Sequence, residues 1–145
     1  MEWINAVWQP PRDFPARILV AGCGSGNEAF AFRGRFPQSE IVALDFSPRS
    51  IALAKSSQRR SPHKRRIRFA VGNLASLKFK AIAFGKFDFV SCHGVLSYVP
   101  KIEKALANIS SCLASDGLFY LGVNGAAHFS ASWRPILHRL GFDIN

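Results

Sequence analysis

Three glycines spaced two residues apart, Gly22, Gly24 and Gly26, with Cys23 and Ser25 between them, follow the apolar run Ile18-Leu19-Val20-Ala21. Without Cβ atoms they let the backbone turn tightly after a strand and come close to a ligand. The next apolar run, Ile41-Val42-Ala43-Leu44, ends on Asp45. This is near the offset of about 20 residues at which an acidic side chain accepts hydrogen bonds from ribose hydroxyls, and one carboxylate can take two hydroxyls at once. Together these residues can hold a nucleotide-containing cofactor. Two plainer readings stay open: a tight turn at the glycines, and a helix-capping aspartate ahead of Phe46-Ser47-Pro48.

A second group lies further along. Ser91, Cys92 and His93 follow Phe87-Asp88-Phe89-Val90. An imidazole titrating near pH 6.5 can serve as a general base, but His93 can equally line a pocket or be structural. Tyr98 and Trp133 are either walls of an acceptor pocket or core aromatics. Asn73, after Gly72, suits a turn. The three cysteines, Cys23, Cys92 and Cys112, are odd in number and widely spaced. They fit neither a disulfide framework nor a metal site, so no metal is expected and a reducing cytoplasm fits best.

The elements that must position these residues are legible as periodicity. With 145 residues, 48% of them hydrophobic, the chain holds one ordinary domain. Residues 1–16 read as an N-terminal segment that packs over the domain or caps its site, and residues 17–145 as the domain. Strands are expected at Ile18–Ala21, Ile41–Leu44, Ile67–Val71, Phe87–Ser91 and Leu118–Val123. Helices are expected at Asn27–Arg35, from the Ser47 cap and Pro48 to about Gln58, and at Lys101–Leu113. Strands alternating with helices imply an α/β fold: a doubly wound, mainly parallel sheet with helices on both faces. Ligands then bind beyond the carboxyl ends of the strands, where strand order reverses.

In order and spacing, four segments resemble the class I S-adenosylmethionine-dependent methyltransferases, a Rossmann-like family. They are Ile18 to Gly26, Val42 to Pro48, Phe87 to Leu96 and Leu113 to Leu118. The GxGxG spacing differs from the GxGxxG usual in dinucleotide enzymes and favours methyl over hydride transfer. The resemblance implies S-adenosylmethionine as cofactor. Gly22, Cys23, Gly24 and Gly26 would then lie along its methionine and ribose, Asp45 on the ribose hydroxyls and Phe46 beside the adenine. Asn73 and Leu74 would meet the adenine edge, and Ser91 and His93 would face the sulfonium or the acceptor, with His93 the candidate catalytic base. The family commonly has Asp where this chain has Asn73; an amide carbonyl still accepts a hydrogen bond but lacks the charge. No Asn-Pro-Pro-Tyr-like tetrapeptide follows the fourth strand, and His93-Gly94-Val95-Leu96 leans toward a small-molecule acceptor.

Nineteen Lys and Arg against nine Asp and Glu give a net charge of +10, which favours acidic partners. Arg59, Arg60, Lys64, Arg65 and Arg66 read either as a solvated surface run or as a nucleic-acid or phosphate patch. No apolar run reaches the roughly 18 residues of a membrane span, so a soluble, cytoplasmic protein without a membrane partner is expected. The resembling family has seven strands, and after the fifth too little chain remains for the last two. A truncated domain or fragment is therefore expected, with homo-oligomerisation or a partner at the open sheet edge. The rival readings are a non-catalytic cofactor-binding module, a nicotinamide-dependent oxidoreductase and a nucleic-acid-binding protein.

Overall fold

The computed structural model describes residues 16–62, 66–76 and 85–123. Their elements run β1 (Arg17–Ala21), α1 (Asn27–Arg35), β2 (Glu40–Asp45), α2 (Pro48–Arg59), β3 (Arg68–Val71), β4 (Phe87–His93), a single 3-10 turn (Leu96–Tyr98), α3 (Ile102–Ser110) and β5 (Leu113–Gly122). The five strands form one sheet in the order β3-β2-β1-β4-β5, every neighbouring pair parallel. Order reverses between β1 and β4, which opens a crevice at their carboxyl ends.

Both faces of the sheet are covered, which is why its central strands are apolar at successive positions. Ile18, Val20, Ile41 and Ala43 pack with Ala29 and Phe32 of α1 and Ile51 and Ala54 of α2. Leu19, Ala21, Val42 and Leu44 point the other way, toward Leu96 and toward Ala105 and Ile109 of α3. At the amino-terminal edge, Arg17 joins three strands. Its backbone N–H donates to Asp88, its guanidinium pairs with Glu40 at 2.9 Å, and it lies 4.6 Å above the Phe87 ring. Arg33, 1% exposed, donates to the carbonyls of Phe36 and Pro37 and so closes the turn into β2.

The third helix is shorter than its sequence pattern predicts, and β5 starts earlier. The helix ends at Ser110, and Leu113 already pairs with Phe87. Register then jumps, so that Phe89 faces Leu118. The extra residues of β5 bulge around Asp116-Gly117, where a Cβ on Gly117 would press on the Phe87 carbonyl at 2.9 Å. Leu113 continues the spacing of α3 because it packs against the same core from a strand. No helix among the described residues is long and apolar enough to cross a membrane. The segment 1–15, Lys64, Arg65, Trp133 and the chain after Val123 lie outside the described residues.

Candidate functional site

The loop after β1 folds back over the tip of β2. The backbone N–H groups of Gly22 and Cys23 both donate to the Leu44 carbonyl, at 2.7 and 2.8 Å. This path needs left-handed backbone: φ is 85° at Gly22, 53° at Gly24 and 94° at Gly26. The three glycines serve different ends. A Cβ on Gly22 would strike Val95, and one on Gly26 would press at 3.1 Å on Phe30 and Phe69, whereas one on Gly24 would meet nothing within 4 Å. Gly24 thus borders open space.

Asp45 ties the surrounding loops together. Its Oδ2 accepts from the Gly24 N–H at 2.8 Å, its Oδ1 accepts from the Ser47 N–H at 2.9 Å, and its backbone carbonyl accepts from Gly72 N–H at 2.9 Å. Each carboxylate oxygen keeps acceptor capacity for a further donor. Ser47 is the N-cap of α2, accepting from the Ser50 N–H at 3.2 Å, with Pro48 in the first turn.

These loops wall a cavity of about 540 Å³, lined by Gly22, Asp45, Phe46, Asn73, Leu74, Gly94, Val95, Tyr98, Val99 and Pro100. Of the residues singled out in sequence, Gly22, Asp45, Phe46, Asn73 and Leu74 meet here, joined by Tyr98. Phe46 is 74% exposed, so its ring is available to a flat ligand. The Asn73 side-chain oxygen accepts from the Ala75 N–H at 2.9 Å and shapes the turn after β3, leaving its amide N–H groups for a ligand. Asn108 of α3 pins this turn by donating to the carbonyls of Leu74 and Ser76 at 2.7 and 3.0 Å.

Cys23, Gly24, Gly26, Ser91 and His93 do not line the cavity. Ser91 is fully buried and donates to Glu28, in the first turn of α1, at 2.7 Å. His93 stands exposed at the end of β4, stacked on Tyr120 with ring centroids 5.6 Å apart. A Cβ on Gly122 would collide with its ring. Burial pushes the Cys23 thiol up to about 12, with the Asp45 and Glu28 charges adding to it. Burial and the Glu28 charge do the same at Cys92. Both remain neutral thiols at physiological pH and are poor nucleophiles. No group of three His, Cys, Asp or Glu among the described residues is placed to hold a metal ion.

Sequence reasoning missed Glu28, Asn108, Val95, Val99 and Pro100. Glu28 carried a signal, an acidic residue just inside a helix that opens on glycines; the others become visible only when the loop after β4 closes over β2.

Comparison with known proteins places this geometry. A family model for the methyltransferase domain matches residues 19–119. The chain is 36% identical over 107 residues to an uncharacterised protein of Synechococcus, covering 74% of this chain and 25% of that one. It is 30% identical to a malonyl-[acyl-carrier protein] O-methyltransferase of Geobacter sulfurreducens, covering 86% and 45%, and 30% identical to a trans-aconitate 2-methyltransferase of Deinococcus radiodurans, covering 86% and 43%. Among solved structures, PKMT2 of Rickettsia typhi in complex with AdoHcy superposes with a TM-score of 0.65 at 28% identity, over 76% of this chain and 21% of that one. The chain spans less than half the length of each of these relatives. With the greater part of its length matched, it belongs to the methyltransferase-domain family.

Proposed function

We propose that the chain binds S-adenosylmethionine in the cavity at the tips of β1, β2 and β4 and is the cofactor-binding part of an enzyme that methylates a small molecule. The observation that carries this reading is Asp45, fixed by the Gly24 and Ser47 N–H groups on the wall of a cavity whose other sides include Phe46, Leu74 and Val95. The residues fit the cofactor: a carboxylate with spare lone pairs suits a ribose diol, and apolar walls beside an exposed ring suit a purine. The open space over Gly24 leaves room for a chain to pass.

The cofactor supplies a methyl group on a positively charged sulfur. Asp45 accepts from the ribose hydroxyls, Phe46 and Leu74 flank the base, and Asn73 donates its amide N–H to a ring nitrogen. Gly22, Cys23, Gly24 and Gly26 give the loop the shape that lets its backbone approach the rest of the ligand, and Ser91 holds β4 to α1 through Glu28. His93, at the rim, takes the acceptor's proton. With the cofactor bound and its methyl group offered to an acceptor, the loops that hold it contribute chiefly by orienting the two reactants.

The names of the relatives, which act on malonyl-[acyl-carrier protein] and trans-aconitate, support a small organic acceptor. In this reading residues 17–145 are the cofactor-binding unit and 1–16 its N-terminal flank. The three buried free cysteines suit the reducing cytoplasm. Calorimetry with S-adenosylhomocysteine tests the proposal. Asp45→Ala weakens binding at least tenfold, about 1.4 kcal/mol or more. Saturable binding left unchanged by Asp45→Ala removes the assignment of that residue, and no binding by the unaltered chain removes the reading itself.

A further inference from the structure

Positive charge is concentrated in one stretch of the chain. From Phe46 to Phe87 there is no Asp or Glu, while eleven of the nineteen Lys and Arg fall in that interval. Seven of them lie on exposed, described positions: Lys86, just before β4, and six on α2, the segment after it and β3, namely Arg49, Lys55, Arg59, Arg60, Arg66 and Arg68. Ile51 and Ala54 fix the buried face of α2, so Arg49, Leu53 and Arg60 fall on the side turned to solvent. Helix α2 packs against β2 and β3 on the sheet face that Phe69 joins, and Arg68, on the outer strand β3, adds an exposed cation at the same edge from the opposite face.

The edge is built rather than loose. Gln58 accepts from the Ile67 N–H at 2.6 Å and donates to the Ile67 carbonyl at 3.1 Å, holding the start of β3 against the end of α2. Arg66 reaches back to the Gln58 carbonyl at 2.9 Å. A helix carboxyl end favours nearby cations through its partial negative charge, but that field fades within one turn. It accounts for Arg59, Arg60 and Arg66 and does not reach Arg49 or Arg68.

We infer that this edge binds the phosphate backbone of a nucleic-acid duplex without reading its sequence. Five of the six cations are arginines, whose planar fork matches phosphate oxygens in a bidentate way. A twelve-residue helix is about 18 Å long, which spans about five phosphate steps along one strand of a duplex. The exposed aromatic nearest this edge among the described residues, Phe46, lines the cavity, and Phe69 is 5% exposed, so successive bases of a single strand have no row of rings to stack on. A lipid surface or a protein interface calls for a cluster of apolar anchors; here Leu53 is exposed on α2, while the other exposed apolar side chains nearby, Phe46 and Val71, sit apart from it at the carboxyl tips of β2 and β3. The inference rests on charge distribution and does not depend on the methyl-transfer reading.

Fluorescence anisotropy of labelled twenty-base-pair DNA and RNA duplexes, titrated with the intact chain between 50 and 200 mM salt, tests it. About four phosphate contacts give a log–log salt slope near −3.6, a loss of roughly a hundredfold across that range. The triple variant Arg49→Gln/Arg59→Gln/Arg60→Gln, checked for folding by circular dichroism, brings the slope to about −1 and weakens binding at 50 mM at least tenfold. Lys104→Gln on α3 leaves both unchanged. Comparable binding of the two duplexes assigns the shared backbone, and preference for one assigns that nucleic acid. The inference falls if neither duplex binds at about 10 µM protein and 50 mM salt, a weaker limit than ordinary non-specific binding under those conditions. It falls equally if the triple variant binds like the parent, or if polyglutamate or phosphatidylglycerol vesicles bind better than both duplexes.

Discussion

Asp45 serves the fold and the cavity with the same two oxygens. Accepting from Gly24 and Ser47 N–H groups fixes its rotamer before any ligand arrives, so little side-chain entropy remains to be lost on binding. His93 is placed differently: it stacks on Tyr120 beside the cavity instead of lining it. His93→Ala therefore leaves S-adenosylhomocysteine affinity within about twofold while lowering turnover by 10²–10⁴ if the imidazole removes a proton. Separate measurements of binding and turnover decide this, and unchanged turnover ends its catalytic role. Sequence placed Ser91 and His93 together at a strand end. It did not show that Ser91 would be drawn to Glu28, because the partner is 63 residues away.

At the scale of elements, the approach of the glycine loop to the loop after β4 sets a requirement for the site. Gly22→Ala forces a methyl group onto Val95 and keeps a φ of 85°, with an expected cost of about 2–4 kcal/mol. Adding Val95→Ala relieves the collision, so urea midpoints of the single and double variants should reveal a coupling of about 1–2 kcal/mol. Additive effects would show that the two loops do not bear on each other. How well each element reads from sequence follows the same physics. The first two strands were legible because burial on both faces makes them continuously apolar, and α2 because Ser47-Pro48 marks its start. The boundary at Leu113 was not, since one apolar position suits either a helix or a strand facing the same core. The glycine loop was visible, but the partners Val95 and Asn108 were not, because they arrive from distant chain.

For the whole molecule, buried thiols set an alkaline limit. Those of Cys23 and Cys92 ionise near 12 when folded and near 9 in the unfolded chain. As pH rises from 9 toward 12 the unfolded state sheds these protons first, so stability falls across that window. Cys23→Ala/Cys92→Ala should flatten that part of the stability–pH curve in urea denaturation at successive pH values; a slope identical to the parent's would show that the thiols do not set the limit. The molecule is also divided by edge. The Arg17 ion pair and the Phe36-Pro37 turn lie at the amino-terminal edge, and the cavity at the carboxyl-terminal one. The tip of β2 receives hydrogen bonds from the loops after β1, β2 and β3 through Leu44 and Asp45. An inserted residue between Phe36 and Ser39 can be absorbed by the turn alone, whereas one between Leu44 and Ser47 displaces three loops together. Length variation should therefore accumulate at one end of the sheet, leaving the other with a nearly fixed residue count.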